Sequence, residues 1–262
     1  PTDAPAEFVL GQPSFDSCDP GVSATKMNRP TRLAVDPWSL RLFVSDTGNN
    51  RVLIFDLDAG ASGQAAINVL GQPDFTTSSG GVGQQRLSVP AGLVVDIPAR
   101  TLYIVDYGNN RLLAHNLDAG ISNYQGAVGL LGQPDWSSWA PGLSANRFSG
   151  PRGVAVDGDA GRLFVADTNN NRVLVFQTPI GVGLANAVNV LGQSDMDSGA
   201  PSNGAERMAG PTGVRFMPGS PQRLAVADTN NNRVLFFIVD EVTNGEAAVA
   251  VLGQHDFLTT AA

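Results

Sequence analysis

Cysteine, lysine and histidine are all scarce in this 262-residue chain. Cys18 is the only thiol, which excludes an intrachain disulfide and a cysteine-built metal site and leaves the redox compartment open. Lys26 is the only lysine, and arginine supplies the rest of 16 positive charges against 24 acidic residues. A net charge of −8 argues against a phosphate-backbone partner, so no nucleic acid is expected. His115 and His255 are too few and too scattered for a three-ligand zinc site, and no metal or cofactor is expected. No apolar run reaches the ~20 residues that span a bilayer, so membrane insertion is not expected either. Nucleophile elbows of the Gly-x-Ser-x-Gly type are missing. Gly80-Gly-Val-Gly83 is a loop with no helix after it, and so a poor phosphate cradle. The chain starts at Pro1 without Met, from which removal of a signal peptide or a neighbouring domain is expected.

What is present is a repeat. The stretch Leu42–Phe55 returns at Leu102–His115, Leu163–Phe176 and Leu224–Phe237, with spacings of 60, 61 and 61 residues. Each copy holds two β-rich runs around Asp-x-(Gly/Asn)-Asn-Asn-Arg, and Gly and Asn tolerate the positive φ of a tight strand connection. An apolar run after a proline precedes each hairpin, at Pro30–Asp36, Pro90–Asp96, Pro151–Asp157 and Pro211–Met217. A Val-Leu-Gly-Gln type run follows it, at Val69–Gln72, Leu130–Gln133, Val190–Gln193 and Val251–Gln254. These four runs define strands a, b, c and d of a unit. No helical periodicity separates them, and consecutive apolar positions such as Val173–Phe176 demand cover on both strand faces. Blades stacked around an axis provide that cover.

The pattern Leu-Phe/Tyr-Val-x-Asp-Thr-x-Asn-Asn-Arg-Val-Leu, with Pro-x-Gly-Val-Ala-Val-Asp ahead of it, resembles the NHL repeat. The resemblance implies an all-β fold, a β-propeller built from four ~60-residue four-stranded blades. NHL propellers commonly have six blades and serve mainly as binding platforms. Blades are expected at about 30–72, 90–133, 151–193 and 211–254 of one domain spanning 1–262, with an extra N-terminal strand at 8–12. Phe8–Gln12 makes five d-type segments against four a–b–c sets. Two arrangements follow: a closed four-blade ring with one terminal d segment displaced, or an arc completed by missing repeats or another copy. The first is favoured if this is the whole mature protein, because both terminal segments look intact.

Four near-identical copies of Asp46/Arg51, Asp106/Arg111, Asp167/Arg172 and Asp228/Arg233 read as structural ties, since a catalytic site needs different residues in different roles. Asn50, Asn110, Asn171 and Asn232 either offer amides to a ligand or supply the turn conformation. Strand alternation puts the long d–a loops on the face of the Asn-Asn turns. Trp136 and Trp139 in one such loop, with Arg152 at the next strand start, are the expected binding residues. Trp136 matches Phe75 and Phe257 in other loops, whereas Trp139 has no counterpart. The expected function is a non-catalytic scaffold that binds a protein, peptide or glycan on this long-loop face. The alternative is a propeller-type lyase or lactone hydrolase on the same face; the amidating lyase, which the repeat also resembles, relies on several histidines. An extracellular or cell-surface bacterial setting is expected from the acidic, lysine-poor chain, with homo-oligomers forming through unpaired blade edges.

Overall fold

The computed structural model describes residues 4–118 and 120–260; Pro1 lies outside them. Four antiparallel sheets follow one another, each with its strands in sequence order. Blade 1 contains β1 (Pro30–Asp36), β2 (Arg41–Asp46), β3 (Arg51–Asp56) and β4 (Asn68–Leu70). Blade 2 contains β5 (Pro90–Asp96), β6 (Thr101–Asp106), β7 (Arg111–Asn116) and β8 (Gly129–Leu131). Blade 3 contains β9 (Pro151–Asp157), β10 (Arg162–Asp167), β11 (Arg172–Gln177) and β12 (Asn189–Leu191). Blade 4 contains β13 (Pro211–Met217), β14 (Arg223–Asp228), β15 (Arg233–Ile238) and β16 (Ala250–Leu252).

The b–c connection is a three-residue 3-10 turn, as at Thr47–Asn49, and Asn50 follows it at φ 53°. Its counterparts Asn110, Asn171 and Asn232 lie at φ 51–54°, a left-handed conformation that asparagine adopts at low cost. The turn returns the chain in register, so that Asp46 faces Arg51 and Leu42 faces Phe55. The d strands are shorter than the sequence suggests. Gly71 turns out of the ladder at φ 88°, and the Gln72 amide donates to the Asn50 and Ser79 carbonyls at 3.0 and 2.9 Å.

Consecutive apolar residues in a strand face different neighbours, which explains the unbroken runs. Phe43, Val52 and Ile54 of blade 1 pack on Leu93, Leu102 and Ile104 of blade 2. Tyr103, Leu112 and Leu131 of blade 2 meet Val154, Leu163 and Val165 of blade 3. Phe164, Val173 and Leu191 of blade 3 meet Leu224, Val226 and Leu235 of blade 4. At about 25 cal/mol per Å² of buried apolar area, these dry joints are the main stabilising term.

Among the described residues no such core joins blade 4 to blade 1. Leu33 of β1 is 63% exposed, while the residues in its register position, Leu93 and Val154, are each 7% exposed. Leu252 of β16 is 59% exposed, against 0% for Leu131 and Leu191. The favoured expectation of a closed four-blade ring is therefore corrected: the blades form an open arc. The N-terminal segment lies at the open side of blade 1. Phe8–Gln12 forms no strand, yet it occupies the place beside blade 1 that a preceding d strand would take. Val9 accepts from Gly63 N–H at 3.0 Å, as Val69 accepts from Tyr124 and Val190 from Gly245 at 3.0 and 3.1 Å. Gln12 donates to Asp19 O at 3.0 Å, repeating the bond of Gln72 to Ser79. Leu10 then covers part of blade 1, against the cluster of Val44, Leu53 and Phe55.

Candidate binding site at the mouth of the central channel

The floor of the site is the repeated polar cluster. In blade 1, Arg51 Nε donates to Asp46 Oδ2 at 2.7 Å, and both side chains are fully buried. The same pair recurs as Arg111–Asp106, Arg172–Asp167 and Arg233–Asp228 at 2.7–2.8 Å. The guanidinium also ties loops. Arg51 donates to Ser23 O and Lys26 O of the preceding d–a loop, both at 2.9 Å, and to Phe75 O of the following one at 2.6 Å. Asp46 Oδ1 accepts from Asn28 N–H at 2.6 Å, and Asn49 Nδ2 donates to Asp46 Oδ2 at 2.9 Å. Every polar atom of the pair has a partner, the condition under which a buried ion pair is tolerated. The arginines are structural hubs, as their fourfold repetition implies.

The four asparagines, read from the sequence as ligand amides or as turn residues, have the same kind of role in blades 1–3, where their amides are engaged within the fold. Asn50 Nδ2 donates to Ser78 O at 2.9 Å while its Oδ1 accepts from Val89 N–H at 2.7 Å. Asn110 binds Trp139 O and Gly150 N–H, and Asn171 binds Gly199 O and Gly210 N–H, in the same way. Each clamps the loop that leads to the next blade. Asn232, at the open end, keeps among the described residues the first of these bonds, to Thr260 O at 3.1 Å, and is exposed.

Above this floor the repeat gives way to individual residues. The inner strands β1, β5, β9 and β13 border a channel of about 380 Å³ lined by Arg32, Leu33, Gly92, Gly153, Gly213 and Arg215, among others. Its mouth opens on the face of the b–c turns, where Thr31, Thr47, Tyr107, Arg152 and Thr212 meet around a second cavity of about 250 Å³. The Arg152 guanidinium stacks 4.5 Å from the Tyr107 ring centroid and donates to the Tyr107 hydroxyl at 3.3 Å. Asn169, Asn230 and Arg152 line an adjoining recess of about 440 Å³. Among the described residues no His or carboxylate lines any of these three spaces.

The expected binding residues separate here. Arg152 lies at the mouth. Trp139 is 56% exposed on the loop between blades 2 and 3, outside the residues that line the cavities. Trp136 is a loop anchor, packed against the joint of blades 1 and 2 with its carbonyl accepting from Arg111 at 3.0 Å. Tyr107, Arg32, Arg215, Asn169 and Asn230 were not singled out in the sequence. Three of them carried a signal: Tyr107 stands where the other repeats have Thr, Arg32 where they have Gly, and Arg215 where they have Ala or Val.

Away from the mouth, three polar groups are shaped by burial. His115 packs within blade 2, and desolvation pushes its pKa down to about 4. Burial raises the Tyr103 phenol to about 12 and shifts the Asp96 carboxyl upward. Asp36, by contrast, is held well below the usual carboxylate range by Arg100, whose two terminal nitrogens each donate to it at 2.8 Å. Among the described residues no three His, Cys, Asp or Glu side chains gather where they could hold a metal ion.

This is a β-propeller architecture with a solvent-facing axial mouth. The family model of the NHL repeat matches residues 27–55 and 148–176, in blades 1 and 3. Among solved structures the chain is similar to one in the nidogen/laminin complex, with TM-score 0.55 and 16% identity over 89% of this chain and 67% of that one. It is also similar to hydrazine synthase of Kuenenia stuttgartiensis, with TM-score 0.53 and 15% identity over 88% of this chain and 51% of that one. At such identities these likenesses speak for the fold alone. Comparison with curated proteins gave no match.

Proposed function

We propose that the chain is a non-catalytic interaction module that takes a protein, peptide or glycan ligand on the long-loop face, at the channel mouth. The observation that carries this reading is a division of labour between residues. The repeated Asp and Arg are buried and fully bonded inside the blades, whereas Trp139, Tyr107 and Arg152 each depart from the repeat, Tyr107 and Arg152 lining the mouth and Trp139 exposed on the loop clamped by Asn110. Loops whose ends are fixed by a rigid scaffold are where such differences become recognition. One structural neighbour is itself part of a protein complex, which agrees with this reading. The proposed setting is extracellular or cell-surface, on the acidic, lysine-poor composition.

The test is a screen of the purified chain on peptide and glycan arrays beside Trp139→Ala and Arg152→Ala. The expected result is a ligand whose binding falls by about 30-fold with Trp139→Ala, the size of a hot-spot loss of ~2 kcal/mol, at unchanged melting temperature. Ligands that bind both variants as they bind the parent would overturn the reading.

A further inference from the structure

We propose that the central channel is a receptor groove for an acidic, extended peptide segment, with Arg152, Arg32 and Arg215 as its carboxylate contacts. This rests on the reading of the channel mouth as the ligand face and names the ligand class.

The charge distribution is the first support. The chain carries a net −8, yet the charged side chains lining the channel and its mouth are all arginines. Among the described residues none of the three arginines has a carboxylate within salt-bridge distance. Cations in a cleft with low-dielectric walls focus the field there and attract anions even to an acidic protein. Guanidinium groups suit carboxylates because the planar fork donates two parallel hydrogen bonds.

The second support is the placement of these residues in the repeat. Arg32 replaces a glycine kept in the other three repeats at Gly92, Gly153 and Gly213. Arg215 takes the register position of Ala34, Val94 and Ala155, which pack into the joints. Both substitutions fall in the terminal blades, which share no core, and both side chains line the one cavity. Both guanidinium groups border the same cavity, so an anion lying between them is attracted by both.

The third support is length and backbone. Arg152 sits at the strand position of Thr31 and Arg215 at that of Ala34, three residues apart along an inner strand. That separation is ~10 Å at ~3.3 Å per residue, more than a single small anion spans. Each inner strand is the terminal strand of its sheet, with no strand paired on its axial side. An extended peptide can use such main-chain edges while its acidic side chains meet the arginines.

The experiment is isothermal titration of the full chain with hexaglutamate at low and at physiological salt. Hexaglutamine, hexalysine, citrate and oligouridylate serve as comparison probes. Hexaglutamate is expected to bind, more weakly at higher salt, and each of Arg32→Gln, Arg152→Gln and Arg215→Gln is expected to cost about tenfold in Kd. All three side chains are exposed, so melting should be unchanged. Hexaglutamate binding that all three variants retain overturns the proposal. So does citrate binding as tightly as hexaglutamate, or oligouridylate binding with the same arginine dependence. If hexaglutamate fails while a neutral array ligand still depends on Trp139 or Arg152, the acidic-peptide inference falls and the functional reading stands.

Discussion

At the scale of the residue, His115 shows how one departure from the repeat is paid in pH sensitivity. Its counterparts are Phe55, Phe176 and Phe237, and it occupies the same kind of interior position in blade 2. Buried as a neutral imidazole, it has a folded-state pKa of about 4 against 6.5 for the free side chain. The unfolded chain therefore gains a proton first as pH falls. The stability tied to neutral His115 is fully present above pH 6.5 and is lost as pH falls from there through about 4. The loss is on the order of 3 kcal/mol, since each pKa unit corresponds to about 1.4 kcal/mol. His115→Phe should leave melting at neutral pH little changed or raised and should flatten the fall between pH 6.5 and 4. Thermal melts of both proteins across that range check this; parallel curves would mean that His115 titrates normally in the fold.

At the scale of the element, the joints explain why a glycine stands in the inner strand. A Cβ on Gly153 would lie 2.8 Å from Thr212 O of blade 4, and one on Gly92 would lie 2.6 Å from Arg152 O of blade 3. Both obstacles are backbone, which cannot swing aside. Gly213 occupies the same position in blade 4, where the only nearby atom is Ala227 Cβ at 3.5 Å in its own blade. Gly153→Ala should thus destabilise by about 1–3 kcal/mol through overpacking. Gly213→Ala should stay within about 0.5 kcal/mol of the parent or gain slightly from a stiffer unfolded chain. Denaturant unfolding of the two variants makes the comparison, and an equal loss in both would place a further blade against β13 in solution. The d–a loops between blades obey similar local logic: each is held at two points, by the buried arginine of the blade before it and by that of the blade after it.

At the scale of the whole molecule, the open joint is the feature with the largest physical consequence. Leu33 and Val35 on blade 1 and Leu252 on blade 4 are exposed, beside half-buried Val234, Phe236 and Ile238. Apolar blade faces of this kind are association surfaces, and unpaired strand edges recruit further strands. The isolated chain should show a solution mass that rises with concentration by sedimentation, and Leu33→Glu with Leu252→Glu should hold it monomeric. A concentration-independent monomer mass for the parent would show that the faces are too small or too well capped to associate.

The blades themselves were legible in the sequence because their determinants are local. A β-rich run, an Asn able to adopt positive φ and a proline at each strand start act within a few residues, and their fourfold recurrence identifies the unit. The roles of Asp46 and Arg51 and their counterparts followed from repetition too, since four copies cannot each serve one ligand. Closure depended on something else. Whether blade 4 meets blade 1 depends on how far four blades turn about the axis, which no local signal states, and Phe8–Gln12 and residues 250–254 differ at one position only, so neither marks itself as a closing segment. Likewise Arg32, Arg152 and Arg215 lie far apart in the chain and at different positions of their repeats. Only the packing of four inner strands about one axis brings them to one cavity, because a side chain's neighbours across an axis depend on the arc and not on its own strand.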